Sequence, residues 1–414
     1  MKILVIGSGG REHALAWKLS QSPGVQVYGT PGNPGIAQVG TCVSGPPLEA
    51  AEAIGADLTV VGPEVPLVAG VVDEFRAHGM KIVGPNRGAA RLEGSKIFAK
   101  NFLIQRRIPT AEFITVENAA EARKSLGRFG FPAVLKADGL AAGKGVIIAQ
   151  DRVEAEAALT TLTGSLVIEE FLKGEEVSFI ALCDGRHVVA LAPTQDHKAV
   201  FDGDRGPNTG GMGAYCDAAI LNEAQTREVL DRVIYPTVEA TGFTGFLYVG
   251  LMMTTEGPKV LEFNVRLGDP ETQPLMHRMA TDFAPVLMAA VVGELDAVKL
   301  DWRSGPSVCV VLASGGYPGV YETGKRIHGI EVAQAAGATV FHAGTRQGSS
   351  GVETAGGRVL GVTAAGADLA GAMDRAYAGV REIHFEGMHY RRDIGRKGLE
   401  RYNREKTRAR SSDG

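Results

Sequence analysis

The sequence predicts a multidomain chain of the α/β and α+β classes, with a helix-covered parallel sheet at the N-terminus and mixed units after it. Three observations predict this. The chain has 414 residues, enough for two to four domains. Strand-like and helix-like patterns alternate through the first hundred residues. Beyond them, strands follow one another directly, joined by glycine-rich turns.

Taken in order, KILVIG reads as a strand, REHALAWKLSQS as a helix and VQVYGT as a strand. PLEAAEAIGA is then helical, DLTVVG a strand, VAGVVDEFRAHG helical and MKIVGP a strand. Such alternation implies right-handed crossovers in a Rossmann-like sheet, whose ligands sit beyond the carboxyl ends of the strands. Those ends are GSGGRE, TPGNPG, GPEVP and GPNRG, and four turn sequences on one edge point to a ligand site.

The strands FPAVLKAD and GVIIAQD, the loop GLAAGKG, the helical RVEAEAALTTL and the strand SLVIEEFL read as a small α+β insertion over 118–188. The glycine-dense DGDRGPNTGGMGAY precedes an amphipathic helix in NEAQTREVLDRVIYPTVEA. A hairpin follows, GFLYVGLMM and KVLEFNVR, turning at Thr255–Pro258. DLAGAMDRAYAGVREI predicts the last clear helix, and RKGLERYNREKTRARSSDG reads as a solvated, fraying tail.

The composition narrows the function. A net charge of -4 gives no electrostatic ground for binding nucleic acid or an anionic membrane. The longest apolar runs are too short to span a bilayer, and the N-terminus carries no secretory signal pattern. Cys42, Cys183, Cys216 and Cys309 form no CxxC pair, so neither a zinc site nor a disulfide framework is expected, and the cytoplasm is the expected compartment.

Three stretches carry chemistry. In KVLEFNVRLGDPETQ, strand alternation puts Leu261, Phe263 and Val265 on one face and Glu262, Asn264 and Arg266 on the other. A carboxylate and an amide oxygen two residues apart suit Mg²⁺, and Arg266 can fork onto a phosphate or carboxylate beside it. Asp269 and Glu271 add carboxylates near a helix start. The loop KADGLAAGKG is not a Walker A loop, because Gly145 follows Lys144, but its backbone can cradle phosphate and close as a lid, with Lys136 and Lys144 as cations. In SLVIEEFLKGEEVSF, Glu169, Phe171, Leu172 and Glu176 offer an apolar slot for a base and a carboxylate for a ribose. At the opening turn, Gly9 and Gly10 allow close approach of a phosphate, while the helix N-terminus and Arg11 supply positive potential.

The order of SKIFAK, VLKADGLAAGKGV, IEEFLKGEEVS, QDHK, GPNTGGMGAY and LEFNVRLGDPETQ resembles the ATP-grasp ligases. With GGREHALAW, PGNPG, VGPEVPL, VLASGGYPG, HAGT and YRRDIG included, the chain is similar over nearly its whole length to the glycinamide ribonucleotide synthetase family. The resemblance implies an N-terminal phosphoribosylamine-binding domain over 1–103 and an ATP-grasp core over 104–117 and 189–315. It also implies a lid over 118–188 and a small C-terminal α+β domain over 316–414.

By matching position, it implies that Lys96 and Lys136 contact ATP phosphates and that Lys144 lies on the lid. Glu169 and the Leu172 backbone would meet adenine beside Phe171, Glu176 would meet ribose, and Glu262 with Asn264 would hold Mg²⁺ or Mn²⁺. Arg266, Asp269 and Asp196 are the implied catalytic residues, and Lys198 of QDHK an implied substrate contact. Gly9, Gly10, Arg11, Asn33, Pro63 and Glu64 would hold the 5-phosphate end of phosphoribosylamine. The implied reaction joins glycine to 5-phosphoribosylamine, with ATP becoming ADP and phosphate by way of glycyl phosphate. A monomer is the expected form. Ala199 and Tyr215-Cys216-Asp217 depart from the family's pattern.

Three other readings compete with this one, of which a non-catalytic nucleotide-binding sensor does not explain why lid lysines and metal ligands are all intact. Another carboxylate–amine ligase of the same fold would share the ATP residues. An NAD-dependent dehydrogenase is suggested by the opening turn, but VQVYGTPGNPG has no acid for the ribose and GSGG lacks the third glycine.

Overall fold

The computed structural model describes residues 1–140 and 145–412, with side chains as far as Arg404. The run ILVI of the first strand, Lys2–Gly7, is apolar on both faces because helices cover both. Ile3 and Val5 pack with Ala14, Leu15 and Leu19, while Leu4 and Ile6 pack with Val72 and Phe75. The sheet is parallel, ordered Thr41–Cys42, Gln26–Pro31, Lys2–Gly7, Leu58–Val61, Ile82–Val83. The helix expected over VAGVVDEFRAHG is two helices, Glu64–Ala69 and Val71–Ala77. They part at Gly70, whose φ of 98° a residue with a side chain rarely adopts.

A four-stranded antiparallel sheet, ordered Phe113–Val116, Leu166–Glu170, Ala133–Ala137, Val146–Ala149, has its own core of Leu135, Ala155, Leu159 and Ile168. This corrects the expected 118–188 insertion at both ends. Phe113 already pairs with Glu169, and Glu175–Asp184 leaves this unit to pair along its whole length with Thr244–Thr254.

That long pair belongs to a nine-stranded sheet. The order is Gly257–Asn264, Thr244–Thr254, Glu175–Asp184, Thr194–Asp196, Gly213–Cys216, Ser307–Ala313, Arg358–Ala365, Thr339–His342, with Val188–Ala190 also on Glu175–Asp184. The expected joint at 315/316 therefore falls inside one continuous sheet, since Ser307–Ala313 pairs with Gly213–Cys216 on one side and Arg358–Ala365 on the other.

The closing segment is a helix, Arg396–Ser412, and its first turns are not a solvated tail. Arg401 is buried and pairs with Glu175, and Tyr402 Oη donates to Asp217 Oδ2 at 2.6 Å. Arg401 also donates to Tyr215 Oη at 3.3 Å. The Tyr215-Cys216-Asp217 departure is thus the seat of this helix. Among the described residues no helix is long and apolar enough to cross a membrane, and all four cysteines are free.

Candidate active site

The carboxyl edge of the N-terminal sheet, the four-stranded unit and the hairpin Thr244–Asn264 meet around a cleft of about 570 Å³. A β-bulge shapes its floor. Glu262 pairs with Gly250 and Val260 with Leu251, leaving Leu261 as the extra residue. Val260 and Phe263 enter the core, whereas Leu261, Glu262, Asn264 and Arg266 all line the cleft. The expected alternation, with Leu261 on the core face, is corrected by that extra residue.

Glu262 is the electrostatic centre. Lys198 Nζ lies 3.4 Å from Glu262 Oε1 and also pairs with Glu176. Lys198, then Lys136, Lys96 and Arg266, pull the Glu262 carboxyl down to about 2 against its burial. Burial works against the Lys198 charge, yet Glu176, Glu262 and Asp196 push that group well above its usual range. Asp196 behaves oppositely: burial, against Lys198 and with Glu271 and Glu176 adding to it, pushes it up to about 8.

Arg266 forms ion pairs with Glu93 at 2.9 Å and Glu64 at 3.5 Å, and donates to the Asn264 side-chain oxygen at 3.0 Å. Asp269 accepts from Gln273 at 2.8 Å and pairs with Arg358 at 3.2 Å. Although buried, Asp269 is held below the usual carboxylate range by Arg358 and Arg11.

A recess of about 120 Å³ runs behind this floor and gathers lysines. Lys136 reaches Glu169 at 3.0 Å and donates to the Leu261 carbonyl at 2.9 Å. Lys96 donates to the Gly139 carbonyl at 2.8 Å. Lys100, not singled out by sequence, lies 3.1 Å from Glu169, and burial lowers it to about 8 against the pull of Glu169. The Glu169 carboxylate expected at adenine is therefore engaged by two ammonium groups. Phe171 and Leu172 line the main cleft with Ile148, Val134 and Met252, and Glu176 lies on the same wall. Lys144 lies outside the described residues.

A third hollow, about 450 Å³, opens at the first strand end and meets the main cleft at Arg11, Pro63 and Asp269. Gly9 lines it. Glu12 lies within the turn, its carboxylate accepting from Gly9 N–H at 2.5 Å and Arg11 Nε at 2.6 Å. A Cβ built on Gly7, Gly9 or Gly62 would come within 2.6, 2.5 or 2.0 Å of that side chain, so these glycines make room for Glu12.

Two expectations are corrected here. Gly10 does not line the hollow; it admits Gln273, whose Nε2 would stand 2.6 Å from an added Cβ. Asn33 is committed to structure: its amide donates to the Ser8 and His342 carbonyls at 2.8 Å each, and its oxygen accepts from Gly35 and Ile36 at 2.9 Å each.

Other functional candidates were missed. Ser178 and Tyr248 hydroxyls bond Glu271 at 3.1 and 2.9 Å, and both Tyr248 and Glu271 line the cleft. Arg358 bonds the Gly210 carbonyl at 2.6 Å and the Asp269 carbonyl at 2.5 Å. Only Glu271 carried a signal, within RLGDPETQ. Arg358 arrives from a strand nearly ninety residues away, in a stretch without a motif.

The donor set fits a hard divalent cation. Glu262 is ionised, Asn264 offers an amide oxygen beside it, and phosphate oxygens and water suit Mg²⁺ as remaining ligands. Among the described residues no group of three His, Cys, Asp or Glu side chains is placed to hold a metal by itself.

Residues 1–93 match the phosphoribosylglycinamide synthetase N domain, 94–272 its ATP-grasp (A) domain and 307–397 its C domain. The chain belongs to the phosphoribosylglycinamide synthetase family. Within it, the chain is 51% identical over 426 aligned residues to phosphoribosylamine–glycine ligase of Escherichia coli, covering 97% of this chain and 99% of that one. It is 49% identical, with the same coverage, to the protein of that name from Pseudomonas aeruginosa. The crystal structure of phosphoribosylamine–glycine ligase from Thermotoga maritima superposes with a TM-score of 0.81 at 36% identity, covering 95% of this chain and all of that one. A biotin carboxylase from Campylobacter jejuni, 14% identical, superposes at 0.70 over 96% of this chain and 95% of its own, and shares the fold. In this chain the N, ATP-grasp and C segments all border one cleft, and strands of the C segment extend the sheet of the ATP-grasp segment.

Proposed function

We propose that this chain ligates glycine to 5-phosphoribosylamine, cleaving ATP to ADP and phosphate and yielding glycinamide ribonucleotide for purine synthesis. One observation carries the reading: the cleft lined by Lys136 and Lys198 and the hollow at the first glycine turn adjoin, with Arg11, Pro63 and Asp269 in the walls of both. Such a cavity suits a nucleotide at one end and a small phosphorylated amine at the other. Membership of the family and relatives named phosphoribosylamine–glycine ligase support the same assignment.

The chemistry follows from the charges. A carboxylate does not acylate an amine at neutral pH, because oxide is a poor leaving group. A glycine carboxylate oxygen attacks the γ-phosphorus, the bond to the β-phosphate oxygen breaks, and ADP leaves. The phosphoribosylamine nitrogen then attacks the acyl carbon, the bond to phosphate breaks, and the nitrogen gives up a proton. Lys96, Lys136 and Lys198 counter the charge of the phosphates, so catalysis is mainly positioning and electrostatics. Lys144 of the lid loop joins them in this reading.

Mg²⁺ or Mn²⁺ on Glu262 and Asn264 would neutralise charge on the transferring group. Phe171 and Leu172 form the apolar slot for adenine, with Glu169 at its edge, and Glu176 meets ribose. Arg266 stabilises the departing phosphate, and Asp196 and Asp269 orient the two amines. Arg11, with Gly9 and Pro63 around the hollow, holds the phosphate end of phosphoribosylamine, while Glu64, expected there, lies in the main cleft paired with Arg266. The four-stranded unit acts as the lid and the nine-stranded sheet as the floor. One copy supplies every residue named, so a monomer suffices, and free cysteines suit a reducing cytoplasm.

The test is phosphate release from ATP with substrates supplied singly and together. Release should require glycine and phosphoribosylamine at once, with glycinamide ribonucleotide formed in equal amount. Equal release with another carboxylate or another amine overturns the assignment.

A further inference from the structure

Lys198 reaches Glu176 and Glu262 from the foot of a short hairpin, Ala199–Phe201 with Arg205–Asn208. At that foot Thr209 binds the Lys198 carbonyl through its N–H and its hydroxyl, each at 2.8 Å, and Asn208, Thr209 and Gly210 line the cleft. Little apolar packing steadies the hairpin: Val200 is buried with Met212 and Ala313, while Phe201 is half exposed. The neighbouring His197 is fully buried, yet neither ring nitrogen has a hydrogen-bond partner among the described residues. Its backbone ties the foot to the large sheet, the His197 N–H donating to the Gly213 carbonyl at 2.9 Å and its carbonyl accepting from Met212 N–H at 2.8 Å.

The tip is gripped instead by residues 389–397, which include the YRRDIG motif. Arg391, 1% exposed, donates to the Ala199 carbonyl at 3.0 Å, to Asp204 at 2.9 Å and to both Asp393 oxygens at 2.8 Å. Asp393 also accepts from Gly203 N–H at 2.8 Å, Asp202 from Arg392 N–H at 2.7 Å, and Lys397 pairs with Asp204 at 2.8 Å. The strap is itself fixed to the main scaffold. His389 exchanges backbone bonds with Ala313, and Tyr377 Oη donates to the Arg391 carbonyl at 2.9 Å and accepts from Ile394 N–H at 2.9 Å.

We propose that this strap, with Arg391 as its pivot, is a positioning device for the reaction centre: it sets the hairpin tip and thereby aims Lys198 at the nucleotide. The inference rests on the proposed ATP site and adds a function to the YRRDIG segment, which does not line the cleft. Arg391 and Asp204 are positioning residues that act through Lys198.

Asp204 has a φ of 55°, which asparagine tolerates well, so Asp204→Asn removes the charge pairing with little backbone cost. The experiment measures binding of a non-hydrolysable ATP analogue by calorimetry to wild type, Asp204→Asn, Lys198→Met and the double variant, alongside thermal unfolding. Asp204→Asn should weaken binding about five-fold in the wild type and leave it unchanged in the Lys198→Met background, the non-additivity expected of coupled residues. Arg391→Lys should recover part of the affinity lost in Arg391→Gln. Additive effects, an unfolding shift with affinity unchanged, or no effect of Lys198→Met on binding overturn the strap proposal. Failure of the wild type to release phosphate with glycine and phosphoribosylamine overturns the functional reading instead.

Discussion

Glu262 shows how much one residue's role depends on its neighbours. Lys198, Lys136, Lys96 and Arg266 all act on its carboxylate, and removing that charge takes away a counter-ion the four share. Glu262→Gln keeps the size and removes the charge. ATP turnover should fall by about 10²-fold or more, the usual effect of losing a preorganised electrostatic partner, while circular dichroism stays unchanged. Turnover within a few-fold of wild type would remove Glu262 from the reaction centre. Glu262, Asn264 and Arg266 were legible in LEFNVRLGDPETQ because three polar groups at alternate positions of a strand need a purpose. Arg358 was not legible, since it has no local pattern and acquires its partners only when Arg358–Ala365 docks beside Ser307–Ala313.

At the scale of elements, the bulge at Leu261 does what a regular strand cannot. It points two successive side chains into the cleft and presents the Leu261 carbonyl to Lys136 at 2.9 Å. Deleting Leu261 restores plain pairing and withdraws that acceptor. Steady-state kinetics should then show KM for ATP raised about ten-fold, the scale of one hydrogen bond to a charged group, with the unfolding midpoint little changed. An unaltered KM would mean the bulge is incidental. A bulge is hard to read from sequence because it breaks the periodicity by which strands are recognised. The docked closing helix was missed for a related reason: RKGLERYNREK is polar throughout, and Arg401 and Tyr402 are buried by ionic and hydrogen-bonded partners rather than by an apolar stripe.

Across the whole molecule, buried histidines join distant parts of the chain. His13, on the first helix, accepts from the His342 N–H at 2.8 Å and packs edge-on to Phe341 with centroids 5.4 Å apart. That bond needs a neutral His13. Burial lowers His13 to about 3, with His342 adding, and lowers His342 to about 4. His197 is likewise lowered to about 3 by burial. All three would titrate near 6.5 in the unfolded chain. Below that pH the unfolded chain binds more protons than the fold, so stability falls as pH falls, until the folded values near 3 to 4 are reached. Each group contributes about 1.4 kcal/mol per pH unit in that window. Calorimetric unfolding should show the midpoint dropping steeply below pH 6, with the slope reduced by about one proton in His13→Gln. A flat profile from pH 6.5 to 4.5 would contradict the neutral buried state.

The sequence by itself determined the parallel N-terminal sheet, the glycine turns along one edge and the residue types of an ATP-dependent ligase. Those features are local: period-two and helical patterns, turn residues and short motifs act over a few positions. Only the tertiary structure decided that Glu12 lies within the first glycine turn, that Asn33 is spent on structure and that Leu261 faces the cleft. It also decided that residues 389–397 grip the hairpin beside Lys198. Each of these depends on which side chain arrives from far along the chain to meet a buried charge or an unpaired backbone group, and local patterns carry no record of that partner.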